Sequence, residues 1–233
     1  MKIMPVLLIG TLALTTANLR ASSGTEDSVE RLRMSSETLS AMINTPDKGI
    51  PEEVLSNAKC IVVIPHLIKG GFVIGAEHGR GVATCRTSDG WSAPAFVSIN
   101  GGSWGLQIGV EGVDLVMLVM NDHGLQRLLS DKFQIGADAS ASAGPVGRHA
   151  SAGTDWKMDS EILTYSRSKG VFAGISLDGS VVQKDHDATV SIYGDDKSFR
   201  EILGGHVPAP ESTLNFMKAI SQTAHISAVA DAK

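Results

Sequence analysis

Residues 58–109 read AKCIVVIPHLIKGGFVIGAEHGRGVATCRTSDGWSAPAFVSINGGSWGLQIG. Ala58 to Pro65 has the texture of a buried strand rich in β-branched side chains. Phe72–Ala76, Gly79–Thr87 and Ala95–Ile99 repeat that texture, and Leu106–Val110 and Val113–Met120 continue the series. Gly-Gly, Asp-Gly and Asn-Gly pairs break the runs, as hairpin turns do. Glycines inside the runs fit bulges and sharp bends. The expected architecture is α+β, centred on a Gly-rich, mainly antiparallel sheet that curls or closes like a barrel.

Helices flank this centre on both sides. Upstream, Asp27–Ile43 places Val29, Leu32, Leu39 and Ile43 on one helical face, and Thr45-Pro46-Asp47 ends it. Pro51 with Glu52 and Glu53 starts a short second helix. Downstream, Asp122–Ser130 reads as a helix with Asp122 as N-cap. Residues 133–153 are small and polar, Trp156–Ser166 and Val171–Leu177 are strand-like, and Asp185–Tyr193 suggests a helical turn. Lys197–Leu203 and Glu211–Ser221 close the pattern as helices.

Composition bounds the function. In 233 residues, 42% hydrophobic content is enough for a core, and 19% charged residues with 25 glycines favours β-structure over disorder. A net charge of −5 argues against a general nucleic-acid binder. Lys2, the apolar run Ile3–Leu14 and the small residues Thr15-Thr16-Ala17 form the three-part layout of a secretory signal. The expected organisation is a signal peptide over 1–17, a flexible leader over 18–26, one domain over 27–222 and a tail over 223–233. Export would carry Cys60 and Cys85 into an oxidising compartment, where they either pair or remain two small buried hydrophobes.

Catalytic and cofactor motifs are weak. Gly101-Gly102-Ser103-Trp104-Gly105 matches the G-x-S-x-G pattern of a serine hydrolase, but the residues after it alternate like a strand where a nucleophile elbow needs a helix. The glycines from 70 to 81 lack the Lys-Ser/Thr of a phosphate loop. Asp185-His186-Asp187 lacks metal-site spacing and reads as a solvated helix start. Neither a metal nor a cofactor is expected. The basic residues near strand junctions are more suggestive, because a guanidinium donates two parallel hydrogen bonds to phosphate. Lys69, Arg80, Arg86, Arg148, Arg167 and Lys169 occupy such positions, although their spacing equally suits dispersed surface charge interleaved with Glu77, Asp89, Asp155 and Asp159.

Three long segments resemble the SYLF lipid-binding domain: residues 58–109, GADASASAGPVGRHASAGTD at 136–155, and SEILTYSRSKGVFAGISLDG at 160–179. The resemblance runs in order from about Asp47 to Gly194. It implies a non-catalytic module that binds phospholipids, phosphoinositides being the usual ligands in eukaryotic members, some of which also bundle actin. Carried onto this chain, it makes Lys69, Arg80, Arg148, Arg167 and Lys169 the candidate phosphate contacts. The helix at 27–43, or an apolar loop around Trp91 or Trp104, would touch the acyl boundary. No SH3 or FYVE-type module is expected beside this domain, and an exported chain would not meet cytoplasmic actin. The expectation is a bacterial periplasmic or secreted protein at the membrane surface, with anionic phospholipids as partners. The alternative from another class is an envelope module for a protein partner.

Overall fold

The computed structural model describes residues 16–45, 49–71, 74–104, 109–146, 160–172 and 175–230. The chain is α+β, with a strongly curled sheet and helices at both ends of the sequence. Its strands are β1 (Cys60–Gly71), β2 (Ile74–Thr87), β3 (Gly90–Trp91), β4 (Ala95–Trp104), β5 (Gly109–Val119), β6 (Lys132–Gln134), β7 (Ala141–Ala143), β8 (Ile162–Ser168), β9 (Val171–Phe172) and β10 (Val181–Lys184). Its helices are α1 (Thr16–Ile43), α2 (Glu52–Asn57), α3 (Asp122–Leu128), α4 (His186–Tyr193), α5 (Phe199–Leu203) and α6 (Leu214–Ala230).

Chain connectivity forces the curl. The strand order is β6-β10-β4-β2-β1-β5-β8-β7, antiparallel except for the β7–β8 pair. A flat sheet of that width would hold its two edges about 34 Å apart. Yet β6 ends at Gln134 and β7 begins at Ala141. A fully extended connection of that length reaches only about 25 Å. The edges therefore bend toward each other, and Ile135 and Ala139 form a bridge in the turn between them.

The curled sheet separates two cores. On its concave side Val62, Ile64, Leu67, Val97, Ile99, Leu115 and Met117 meet, together with Leu128 of α3 and Phe199, Ile202 and Leu203 of α5. On its convex side Ile61, Val63, Phe96, Val116 and Leu163 pack under Leu32, Leu39 and Met42 of α1 and Phe216 and Ile220 of α6. α5 sits near Thr87 at the end of β2, as the contact between Gly205 and that residue shows. The interior is thus closed at that end. The other end carries the strand termini at Gly71, Ile74, Gly109 and Ser168.

Several elements differ from the sequence reading. β1 continues six residues past Pro65 through a bulge, because one extra residue between Ile64 and Leu67 absorbs the proline and leaves His66 at φ 51°. The runs at 72–76 and 79–87 form a single strand from Ile74. α1 begins at Thr16, so residues 18–26 are helical where a flexible leader was expected, and α6 reaches Ala230 through most of the expected tail. Asn121 rather than Asp122 caps α3, its side chain accepting from the Gly124 N–H. β6, β7 and β10 are strands of three or four residues, too short for any sequence period to reveal.

Gly81 shows why the sheet needs its glycines. A Cβ there would lie 2.0 Å from the Val63 carbonyl oxygen and 2.8 Å from the Ile64 Cα. Both are backbone atoms beside the bulge, so no rotamer change makes room. Gly81→Ala is expected to destabilise the fold by about 2–3 kcal/mol. Urea unfolding checks this, and an unchanged midpoint would show that the strands part freely there.

Candidate functional site

The convex face between α1 and the end of the sheet at Gly71 and Ile74 gathers four arginines, Arg31, Arg33, Arg80 and Arg167. Ile68 pairs with His78 across β1–β2, and Arg80 follows two residues later on the same side. Asp114 pairs with Arg167 across β5–β8 and shares this face. Two adjoining clefts of about 270 and 390 Å³ run between these strands and α1, with Glu30, Met34 and His66 lining both. Arg80 and Arg31 line the first, and Arg167 and Arg33 the second.

The arginines differ in how firmly they are held. Arg31 is 6% exposed and its Nη1 donates to Asp185 Oδ2 at 2.7 Å, with its guanidinium carbon 5.6 Å from the Phe96 ring centroid. Asp185 also caps α4 by accepting from the Ala188 N–H, so one carboxylate joins two helices. Asp185 is thus an anchored cap where a solvated one was expected, while His186 and Asp187 of the same helix start are exposed. Arg33 is bound to Glu30 and Glu37 along the exposed side of α1, and its hydrogen bonds hold Glu30 below the usual carboxylate range. Arg167 Nη2 donates to Asp114 Oδ2 at 3.1 Å.

Arg80 is different. It is 52% exposed, and its ion pair is with Asp27, itself 62% exposed. The same oxygen, Asp27 Oδ2, lies 3.2 Å from Arg80 Nη1 and 3.3 Å from Arg31 Nη2. Two guanidiniums therefore clamp one anionic oxygen at the mouth of the first cleft.

The remaining sequence candidates disperse. Lys69 points to the concave side, where its Nζ lies 2.8 Å from the buried Glu77 Oε2 and donates to the Ser176 carbonyl at 3.0 Å. The Ser180 hydroxyl donates to the other Glu77 oxygen. Lys169 is exposed in the β8–β9 turn at φ 48°. Arg148 lies outside the described residues. Arg86 stacks 4.5 Å from the Trp91 ring centroid and donates to the Ala58 and Leu55 carbonyls at the end of α2. Trp91 is thereby packed beneath a side chain at the closed end, not displayed as an apolar loop. Ser103 lies within β4 opposite Gly75, and β5 is the next described element. Its backbone is a ladder strand, not the strand-to-helix elbow of a nucleophile.

Cys60 and Cys85 face each other across β1–β2 and are joined by a disulfide. The Arg86 N–H donates to the Lys59 carbonyl, which makes 60–85 a non-hydrogen-bonded pair with its side chains close. Sequence reasoning missed Arg31, Asp27 and Asp185. Ser28, Arg31, Ser35, Thr38 and Met42 share the buried face of α1, and a face so rich in polar residues reads as surface. Among the described residues no helix is long and apolar enough to cross a membrane.

Residues 100–223 match the family described as Ysc84, Las17-binding protein actin regulator. The chain is 35% identical over 169 residues to the SH3 domain-containing YSC84-like protein 1 of Rattus norvegicus, covering 72% of this chain and 49% of that one. It is 34% identical over 183 residues to Protein YSC84 of Saccharomyces cerevisiae, covering 76% and 39%. It is 37% identical over 165 residues to the SH3 domain-containing protein PJ696.02 of Schizosaccharomyces pombe, covering 69% and 38%. The chain therefore spans about half or less of the length of the curated relatives it matches. The matched region holds the second half of β4 and all of β5 to β10, and the alignments with these relatives reach over most of the sheet. The chain belongs to the Ysc84, or SYLF-domain, family.

Proposed function

We propose that this protein is a non-catalytic module that binds anionic phospholipid headgroups at the mouth of the cleft between α1 and the sheet. The observation that carries this reading is the Asp27 oxygen held between Arg31 and Arg80. A phosphate oxygen has the charge and acceptor geometry to replace that carboxylate, and hydrogen bonds to charged groups are the stronger kind. Met34 and Ile68 line the same cleft and offer apolar surface beside the charges. The secretory layout of residues 1–17 and the Cys60–Cys85 disulfide support an exported, envelope-facing location, with the ligands drawn from acidic phospholipids there.

The clamp makes an asymmetric prediction. In co-flotation with vesicles of phosphatidylcholine and phosphatidylglycerol, Arg80→Ala is expected to weaken binding roughly tenfold, the equivalent of one hydrogen bond to a charged group. Asp27→Ala is expected to strengthen it, because the competing carboxylate is gone. Binding should also weaken with added salt. If Asp27→Ala weakens binding as much as Arg80→Ala, the pair is structural and the headgroup reading fails. The family description names a protein partner, which favours a second reading as a protein-interaction module. Capture of a partner that survives removal of lipid would support it.

A further inference from the structure

We infer that the end of the sheet opposite α5 is an insertion tip, which seats aliphatic side chains among lipid acyl chains while the cleft holds the headgroup. This rests on the lipid-binding reading above. The largest exposures among the described aliphatic side chains are Val110 at 82%, Val171 at 63%, and Ile68 and Leu214 at 53% each. Three of these four stand at one end of the sheet. Ile68 pairs with Gly112, which puts Val110 diagonally across from it on the convex face, about 7–8 Å away. A Cβ on Gly112 would meet nothing within 4 Å, so this face stays uncovered beyond α1. Val171 pairs with Ser168 in the turn that holds Lys169.

Scattered exposed valines need no explanation, but aliphatic residues gathered at a single strand end do. A cation stands behind Ile68 and Val110 on the convex face: Arg80, two residues along β2 from His78, the partner of Ile68. An apolar tip backed by a cation fits the layered chemistry of a lipid surface, where hydrocarbon lies beneath phosphate. A partner protein would need only the apolar part.

The test is a fluorescent label on the full chain. The native cysteines are joined, so Val110→Cys under non-reducing conditions carries an environment-sensitive dye at the tip alone. Asp89→Cys, in the exposed turn before β3, reports the closed end. With phosphatidylcholine–phosphatidylglycerol vesicles, the dye at 110 is expected to shift to the blue and to be quenched by lipids brominated in the acyl chain. The dye at 89 should do neither. In unlabelled protein, Val110→Asp is expected to weaken vesicle binding at least severalfold without changing the unfolding midpoint. If the protein floats with vesicles and the dye at 110 stays water-exposed, the tip is refuted while headgroup binding stands. If the protein floats with no vesicle, both fail. A blue shift that grows with protein concentration in the absence of vesicles would assign the tip to a second copy of the chain and overturn the inference.

Discussion

Arg31→Met is expected to lower the stability of the fold by about 3–5 kcal/mol, the effect of stranding one member of a buried ion pair. The substitution keeps much of the side-chain volume and removes the charge. It leaves Asp185, 14% exposed, without its 2.7 Å partner, and removes the guanidinium from the Phe96 ring. Asp27 is not stranded, because Arg80 still reaches it. The double variant Arg31→Met, Asp185→Asn should recover most of the loss. Asn still caps α4, and no unpaired charge is then buried. Urea unfolding of the two variants and the parent gives the three midpoints required. A single variant within about 1 kcal/mol of the parent would mean that water reaches Asp185 readily. The result bears on function as well as stability, because Arg31 is the fixed half of the anion clamp. Its position is set by the core, so of the two guanidiniums only Arg80 adjusts when a headgroup displaces Asp27.

The parts of the fold legible in the sequence are those governed by local pattern. The β-branched run at 60–64 and the apolar run at 115–119 lie in central strands, buried on both faces, and read as strands for that reason. Curling was legible from glycine frequency, though the particular reason, that Gly81 faces the backbone of β1, is a tertiary fact. Pro65 misled because proline ends most central strands, and only the bulge at His66 allows β1 to continue. The edge strands β6 and β7 have three residues each, too few for any period to register.

The sequence does not show which of its basic residues share a face. The sequence pointed to cations at strand junctions, and Arg80 and Arg167 do lie on one face beside adjoining clefts. Lys69 is one residue past Ile68, and that single step places it on the opposite side of the sheet with Glu77. Face cannot be assigned by counting when an unrecognised bulge intervenes, since one extra residue reverses every side chain beyond it. The partners of Arg31 lie 154 residues away in sequence at Asp185 and 4 away at Asp27, and only the first needs the fold to be seen.

Loss of the disulfide is expected to destabilise the chain by about 3–4 kcal/mol, the loop-closure value for a link of this span. Cys60 and Cys85 are 25 residues apart and close the β1–β2 hairpin, the central pair of the sheet. For a domain of this size the shift in Tm is roughly 10 °C. Both residues are fully buried, so reductant should reach them only through unfolding. Native protein with dithiothreitol should stay oxidised far longer than protein in denaturing urea. Once reduced, it should melt at the lower temperature, as should the Cys60→Ala, Cys85→Ala variant. Equal melting of oxidised and reduced forms would show that the ladder alone fixes the hairpin. The same bond tests the proposed location. A chain folding in a reducing compartment would bury two thiols, whereas an exported chain would form the link before β1 and β2 close over it. Alkylation of protein denatured directly from cells is therefore expected to find no free thiol in the exported fraction. Full alkylation of both cysteines there would remove the support that the disulfide lends to export, and leave the fold to be held by packing and hydrogen bonds alone.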